Sequence, residues 1–253
     1  MAPKQTEHAG LKIIGHRGAA GLAPENTIPS FVRALEIGCR HLELDVHTAR
    51  DLDTLVVIHD PTLDRTTDLS GPVSDRTVEE LARADAGGGA PVPTLQEVMD
   101  VIHRWQCERP EAPRITVNIE LKGAATARHT ARFIAESGQA HPGLDYVVSA
   151  FVHQALIDFR SYDETTPTAP LFDRWSSRWP DIAAQLRARS VNLSQRIATE
   201  KRVSAIHEAG YEVWCYTVNT RRGALRLKKM GVDGLFTDRP DRLIDYGSED
   251  TPR

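Results

Sequence analysis

Two carboxylates one residue apart are the first sign of chemistry in this chain. In His41-Leu42-Glu43-Leu44-Asp45-Val46-His47, polar and apolar residues alternate. Successive side chains of a strand point to opposite faces. Read as a strand, the run puts Glu43 and Asp45 on one face and Leu42, Leu44 and Val46 on the other. Neighbouring carboxylates repel unless a cation sits between them. A hard divalent ion with oxygen ligands would serve; an amphipathic strand with one wet face is the other reading. The run Thr116-Val117-Asn118-Ile119-Glu120-Leu121-Lys122 repeats the arrangement, with Glu120 and Lys122 on a shared face. His16-Arg17 and His59-Asp60-Pro61 each end a short apolar run. Imidazole can give or take a proton near neutral pH, so His16 and His59 are acid–base candidates, although a lone histidine at a strand end is more often structural.

These residues need elements to bring them together. Leu11 to Gly15 reads as a strand. Ile28, Phe31, Val32 and Leu35 recur at helical spacing, with Asn26 or Thr27 as cap and Gly38 as stop. The strand with Glu43 and Asp45 follows. Strand, helix, strand implies a parallel sheet. Thr54 to Ile58 is strand-like, residues 60–76 are turn-rich, and Thr77–Glu80 and Thr94–Glu97 are capping boxes. Residues 47–93 therefore read as an insertion between the second strand and its helix, whose apolar face carries Leu95, Val98, Val101, Ile102 and Trp105. Beyond Pro113, strands are expected near 115–121, 145–149, 169–172, 190–193, 212–217 and 233–237. Helices are expected near 126–137, 153–160, 181–189, 199–209 and 220–230.

Eight strand–helix units read as an α/β fold, a (β/α)₈ TIM barrel with a small insertion after the second strand. An open doubly wound sheet is the alternative, but Gly15-His16-Arg17-Gly18 lacks its Gly-rich phosphate turn. One domain over 1–253 is expected, with its core at about 11–246, a loose polar stretch over residues 1–10 and a disordered tail from Tyr246. Barrel chemistry gathers at the C-terminal ends of the strands. Glu43, Asp45 and Glu120 would then form a metal site at one mouth, or else a salt-bridge cluster with Arg17 and Lys122. Arg17 offers a planar donor fork suited to phosphate and Lys122 a point charge, unless Lys122 only balances Glu120. A divalent ion beside them points to a phosphorylated substrate.

Composition narrows the classes. Of the 253 residues, 40% are hydrophobic and 26% charged, ordinary values for a globular protein. A net charge of −4 gives no sign of a general nucleic-acid surface. Cys39, Cys107 and Cys215 are far apart and form no Cys-x-x-Cys pair, so they read as reduced thiols in a cytoplasmic protein. The first ten residues lack the apolar core of a signal peptide, and no apolar run is long enough to span a membrane.

The ordered set of motifs resembles the glycerophosphodiester phosphodiesterase family. The matching pieces are His16-Arg17-Gly18, Pro24-Glu25-Asn26-Thr27, Glu43-Leu44-Asp45-Val46, His59 through Thr67, Pro93 through Glu97, Asn118 through Lys122, Thr217-Val218-Asn219 and Thr237-Asp238-Arg239-Pro240, over roughly residues 12–245. Each piece alone is weak; in order they are specific. The resemblance implies hydrolysis of glycerophosphodiesters to sn-glycerol 3-phosphate and an alcohol. It implies Glu43, Asp45 and Glu120 as ligands of one divalent ion, Mg²⁺ or Ca²⁺. It further implies His16 and His59 as the acid–base pair, Arg17 and Lys122 as phosphate contacts, and Glu25 as a supporting residue near the mouth. Two positions depart from the family pattern: Tyr216 stands where Trp is common, and Ser149-Ala150-Phe151 where Ser-Ser-Phe is usual. Both bear on pocket shape and substrate choice. A lysophospholipase D acting on lipid-chain substrates is the competing enzyme, and a non-catalytic phosphate-binding barrel the competing binding protein. For the former, the Trp175–Trp179 segment would supply an apolar entrance; its two Trp and two Arg could hold a leaving group or touch a membrane surface, or its Trp residues could pack beneath the loop, which is expected of one Trp and left undecided for the other.

Overall fold

The computed structural model describes residues 10–246 except 52 and 124. The expectations for residues 1–9 and for the tail beyond Tyr246 fall outside the described residues. Among the described residues, nine strands form the framework. They are β1 (Lys12–Gly15), β2 (His41–Thr48), β3 (Leu55–Val57), β4 (Ile115–Leu121), β5 (Leu144–Ala150), β6 (Thr168–Phe172), β7 (Ser190–Ser194), β8 (Glu212–Tyr216) and β9 (Gly234–Thr237). Eight of them pair in parallel around the ring β1-β9-β8-β7-β6-β5-β4-β2, and β1 closes it by pairing with β2 at Ile14↔His41. The fold is the expected (β/α)₈ barrel. β3 lies outside the ring, antiparallel to β2, with Val57 opposite Val46.

The helices are α1 (Ile28–Ile37), α2 (Val78–Leu81), α3 (Leu95–Cys107), α4 (Thr126–Ala140), α5 (His153–Arg160), α6 (Trp179–Leu186), α7 (Glu200–Glu208) and α8 (Arg221–Lys229). Both capping boxes form: Thr77 and Glu80 close the first turn of α2, and Thr94 and Glu97 that of α3. Thr27 takes the cap position of α1 with extended backbone, but its hydroxyl donates to the Pro24 carbonyl instead of capping. Gly38 ends α1 in the left-handed region at φ 109°, as its lack of Cβ allows. α6 begins earlier than its apolar pattern indicates because Pro180 occupies its first turn, and it ends earlier because Arg187 turns left-handed. After β9, two short 3₁₀ turns, Pro240–Arg242 and Ile244–Tyr246, stand where an eighth long helix was expected.

The alternation of β2 sorts its side chains into two environments. Leu42, Leu44 and Val46 pack outward with Phe31, Leu35, Val98 and Ile102 from α1 and α3. Inside the ring, Ile14, Val147, Ala169, Trp214 and Phe236 form an apolar plug. The insertion has a small core of its own, with Val56, Ile58, Leu63, Val73 and Leu81 among its members. Leu44 is fully buried between barrel and helices. Leu44→Ala is therefore expected to lower the free energy of unfolding by about 2–5 kcal/mol, the usual range for a buried leucine. Chemical denaturation measures this; a loss below about 1 kcal/mol would mean that the layer closes over the cavity.

Candidate active site

The carboxylate cluster is set by strand register. β2 and β4 pair with Asp45 opposite Glu120 and Glu43 opposite Asn118, so the inward residues of two neighbouring strands meet at the C-terminal mouth. Each of Glu43, Asp45 and Glu120 offers one oxygen within 4.8 Å of the others. Their exposures are 1%, 0% and 7%, so water does little to separate the charges. Asp45 meets Lys122 Nζ at 3.2 Å and Arg17 Nε at 3.2 Å, and accepts a bond from Asn26 Nδ2 at 2.8 Å. Burial raises its pKa, but Lys122, Arg17 and His59 outweigh that and hold it below the ordinary carboxylate value. Glu43 goes the other way: burial, then repulsion from Asp45 and Glu120, lifts its pKa well above the usual range. Glu120 is pushed up to about 7, mainly by burial and then by Asp45, with Lys122 opposing.

This donor set fits a hard cation. All three groups offer oxygen, and the buried Glu43 Oε1 has no hydrogen-bond partner. The other oxygen of Glu43 accepts the Arg17 backbone N–H at 2.8 Å. The two basic residues leave part of the carboxylate charge uncompensated, since Glu43 and Glu120 remain hard to ionise.

Arg17 sits in the turn after β1 at a left-handed φ of 50°, followed by Gly18 at 82°. A Cβ on Gly18 would lie 2.6 Å from the Ser30 backbone carbon, so only glycine lets the turn pack against α1. The strain at Arg17 is retained where its guanidinium reaches both Asp45 and Glu25, the latter at 2.7 Å.

The two histidines share one arrangement. His16 Nδ1 lies 2.6 Å from Asp238 Oδ1, and His59 Nδ1 lies 2.6 Å from Asp60 Oδ1. A carboxylate only accepts, so each Nδ1 carries the hydrogen and each Nε2 is left for proton transfer. His16 Nε2 stands 3.9 Å from Glu43. Asp238 accepts a further bond from Asn219 Nδ2 at 2.6 Å. Burial lowers the pKa of His59, with Asp45 and Asp60 opposing. His47 is 7% exposed and donates from Nε2 to the His59 carbonyl at 3.1 Å.

Six of these groups border one pocket of about 150 Å³. His16, Arg17, Glu43, His59, Glu120 and Lys122 line it, and Asp45, fully buried, does not line it but contacts Arg17 and Lys122, so these seven sequence-derived site residues come together. Phe151, Leu171, Tyr216 and Phe236 make an apolar wall. Tyr216 meets Phe151 edge-on at 5.5 Å, so the Tyr216 departure from the family pattern falls on this wall, while the other, Ala150, is buried in the core between barrel and helices and does not reach the pocket. The Trp175–Trp179 segment does not line it. Trp179 is buried, and Trp175 packs against it at 6.1 Å with the Arg202 guanidinium 4.7 Å above its ring. Trp179 is the Trp expected beneath the loop, and Trp175, left undecided by the sequence, packs beside it in the same cluster.

Asp238, Asp60 and Asn26 were not singled out from the sequence as site residues. Asp238 carried a signal: it directly follows the last strand of a closed barrel, which must lie beside the first strand and His16.

The matched family model is the glycerophosphoryl diester phosphodiesterase family, over residues 16–242. The YhdW protein of Bacillus subtilis is 34% identical, with 95% of this chain and 99% of that protein covered. The glycerophosphodiester phosphodiesterase of Caldanaerobacter subterraneus subsp. tengcongensis is 31% identical over 92% of this chain and 96% of its own length. Among solved structures, an Oleispira antarctica phosphodiesterase in complex with the product sn-glycerol-3-phosphate superposes with a TM-score of 0.85 at 28% identity, covering 94% of this chain and 96% of that one. The chain belongs to the glycerophosphoryl diester phosphodiesterase family.

Proposed function

We propose that this protein hydrolyses glycerophosphodiesters to sn-glycerol 3-phosphate and an alcohol, with His16 and His59 as its proton-transfer pair. The reading is carried by one observation: two histidines, each oriented by a carboxylate, border the same pocket as a buried carboxylate cluster. Family membership and the product-bound relative support the reaction class.

Glu43, Asp45 and Glu120 would hold one divalent ion, Mg²⁺ or Ca²⁺, supplying positive charge to the phosphoryl oxygens. Arg17 binds the phosphate by its guanidinium fork and Lys122 by its ammonium group. One histidine takes the proton of the glycerol 2-hydroxyl at Nε2. That oxygen attacks phosphorus, and the bond to the alcohol breaks as the other histidine protonates the leaving oxygen. Water then adds to the cyclic phosphate with the roles reversed: its proton goes to the second histidine, the 2-oxygen leaves, and the first histidine returns a proton to it. Asp238 and Asp60 hold the two rings in the tautomer this exchange needs.

The lysophospholipase D reading is kept for one reason: Phe151 and Val152, beside the pocket, are 41% and 65% exposed and could take an acyl chain. Relative rates on glycerophosphocholine and lysophosphatidylcholine separate the two; the first is expected to be the better substrate.

Glycerol 3-phosphate release should stop in chelator and return with Mg²⁺ or Ca²⁺. Glu43→Gln and Glu120→Gln should abolish it without unfolding the chain; full activity in both variants would remove the ion from this site. His16→Ala and His59→Ala should each lower kcat by about 10²–10⁴-fold, and a loss under about tenfold in either would remove that histidine from proton transfer.

Stability gives a readout independent of turnover. Folded and ion-free, Glu43 and Glu120 keep protons that unfolded carboxyls have already lost. At these two carboxyls the folded state binds more protons than the unfolded one, so in chelator their share of the stability falls as pH rises from the ordinary carboxyl range through about 7, against the opposite slope from His41, His47, His59 and His129, whose pKa values burial lowers. A bound ion should flatten that slope and, at a hundredfold excess over its dissociation constant, add about 2.7 kcal/mol. Thermal melts across pH with and without Mg²⁺ test this, and identical slopes would count against the ion.

A further inference from the structure

His59 does not stand on the barrel ring. It follows β3, the antiparallel edge strand, at the head of the inserted segment. His47 ties its carbonyl, but the direction of its ring depends on Asp60. Asp60 is held in turn by Arg65: Nε donates to Oδ2 at 2.6 Å and Nη2 to Oδ1 at 3.1 Å. The same guanidinium reaches across to Glu25, in the loop between β1 and α1. There Nη1 donates to Oε2 at 2.8 Å and Nη2 to Oε1 at 2.8 Å. Glu25 Oε1 also accepts from Arg17 Nη1. One planar side chain thus forms paired bonds with two carboxylates, one attached to each half of the pocket. Lysine lacks the fork to do this.

We propose that Arg65 is a positioning residue that locks the insertion to the β1–α1 loop and, through Asp60, holds the His59 ring in its Nδ1–H tautomer and direction. The kinetic part rests on the proton-transfer role of His59 given above. Arg65 is 47% exposed at its side chain, and exposed ion pairs contribute little to stability. Its removal therefore acts on the geometry of His59 more than on folding. Arg17 has two further anchors, Glu43 through its backbone and Asp45 through Nε, so it stays in place when Glu25 loses Arg65. Free histidine favours the opposite, Nε2–H tautomer, so a His59 released from Asp60 drifts toward it.

The test is the ring nitrogen spectrum of ¹⁵N-histidine-labelled protein, with His16 and His59 assigned by single substitution, together with glycerophosphocholine kinetics. In Arg65→Met, His59 should move toward the Nε2–H tautomer while His16, held by Asp238, is unchanged. The melting temperature should stay within about 2 °C, and kcat should fall about ten- to a hundredfold with less change in KM. Arg65→Lys, able to bond one carboxylate at a time, should fall between. An unchanged His59 tautomer in Arg65→Met overturns the proposal, as does an unchanged kcat beside normal wild-type turnover. A His59 that changes tautomer in a protein with no turnover of any glycerophosphodiester upholds the lock on the ring and overturns only the reading of His59 as an acid–base group.

Discussion

Three carboxylates buried at one barrel mouth are the constraint on which the rest of the site depends. Ionised carboxylates are costly to bury and repel at this spacing. Each surrounding feature answers some part of that cost. Lys122 and Arg17 bring positive charge to Asp45, Asn26 brings an amide donor, and the strained turn at Arg17 aims a backbone N–H at Glu43. Compensation is incomplete: Glu43 keeps an unsatisfied oxygen and Glu120 titrates near neutrality. A site built only for stability would have closed that gap with packing or another cation.

The same economy governs the histidines. His16 comes from the turn after β1 and His59 from the insertion, yet each ends with Nδ1 against an aspartate. The backbone routes differ; the electrostatic solution does not. Fixing the tautomer at both rings leaves two equivalent nitrogens, the arrangement that the proposed forward and reverse proton transfer would use.

Much of this was legible in the sequence, because period-two alternation is local. Leu42, Leu44 and Val46 had to face one way and Glu43 and Asp45 the other, and strand–helix alternation then placed the carboxylates at one mouth. The capping boxes at Thr77 and Thr94 were readable for the same reason: their partners lie three residues away. What escaped was non-local. Asp238 lies 222 residues from His16 and meets it only because the ring closes. Arg65 lies 40 residues from Glu25 and meets it only because the insertion folds back over the first loop. Nor does sequence say whether a tryptophan in a loop points out or under. Trp175 went under because Trp179 and Arg202 offered it a surface.

Ring closure has a consequence in time as well as in space. Ribosomal synthesis delivers β1 first and β9 last of the ring, and His16 waits for Asp238 until that last strand has emerged. The outward apolar rows of the early strands can begin to collapse on α1 and α3 well before that. A nascent chain would thus carry a half-formed wall whose His16 imidazole is not yet oriented, and the pocket would be complete only with the final strand. Under the proposed proton-transfer role of His16, assembly order alone would keep an unfinished hydrolase idle.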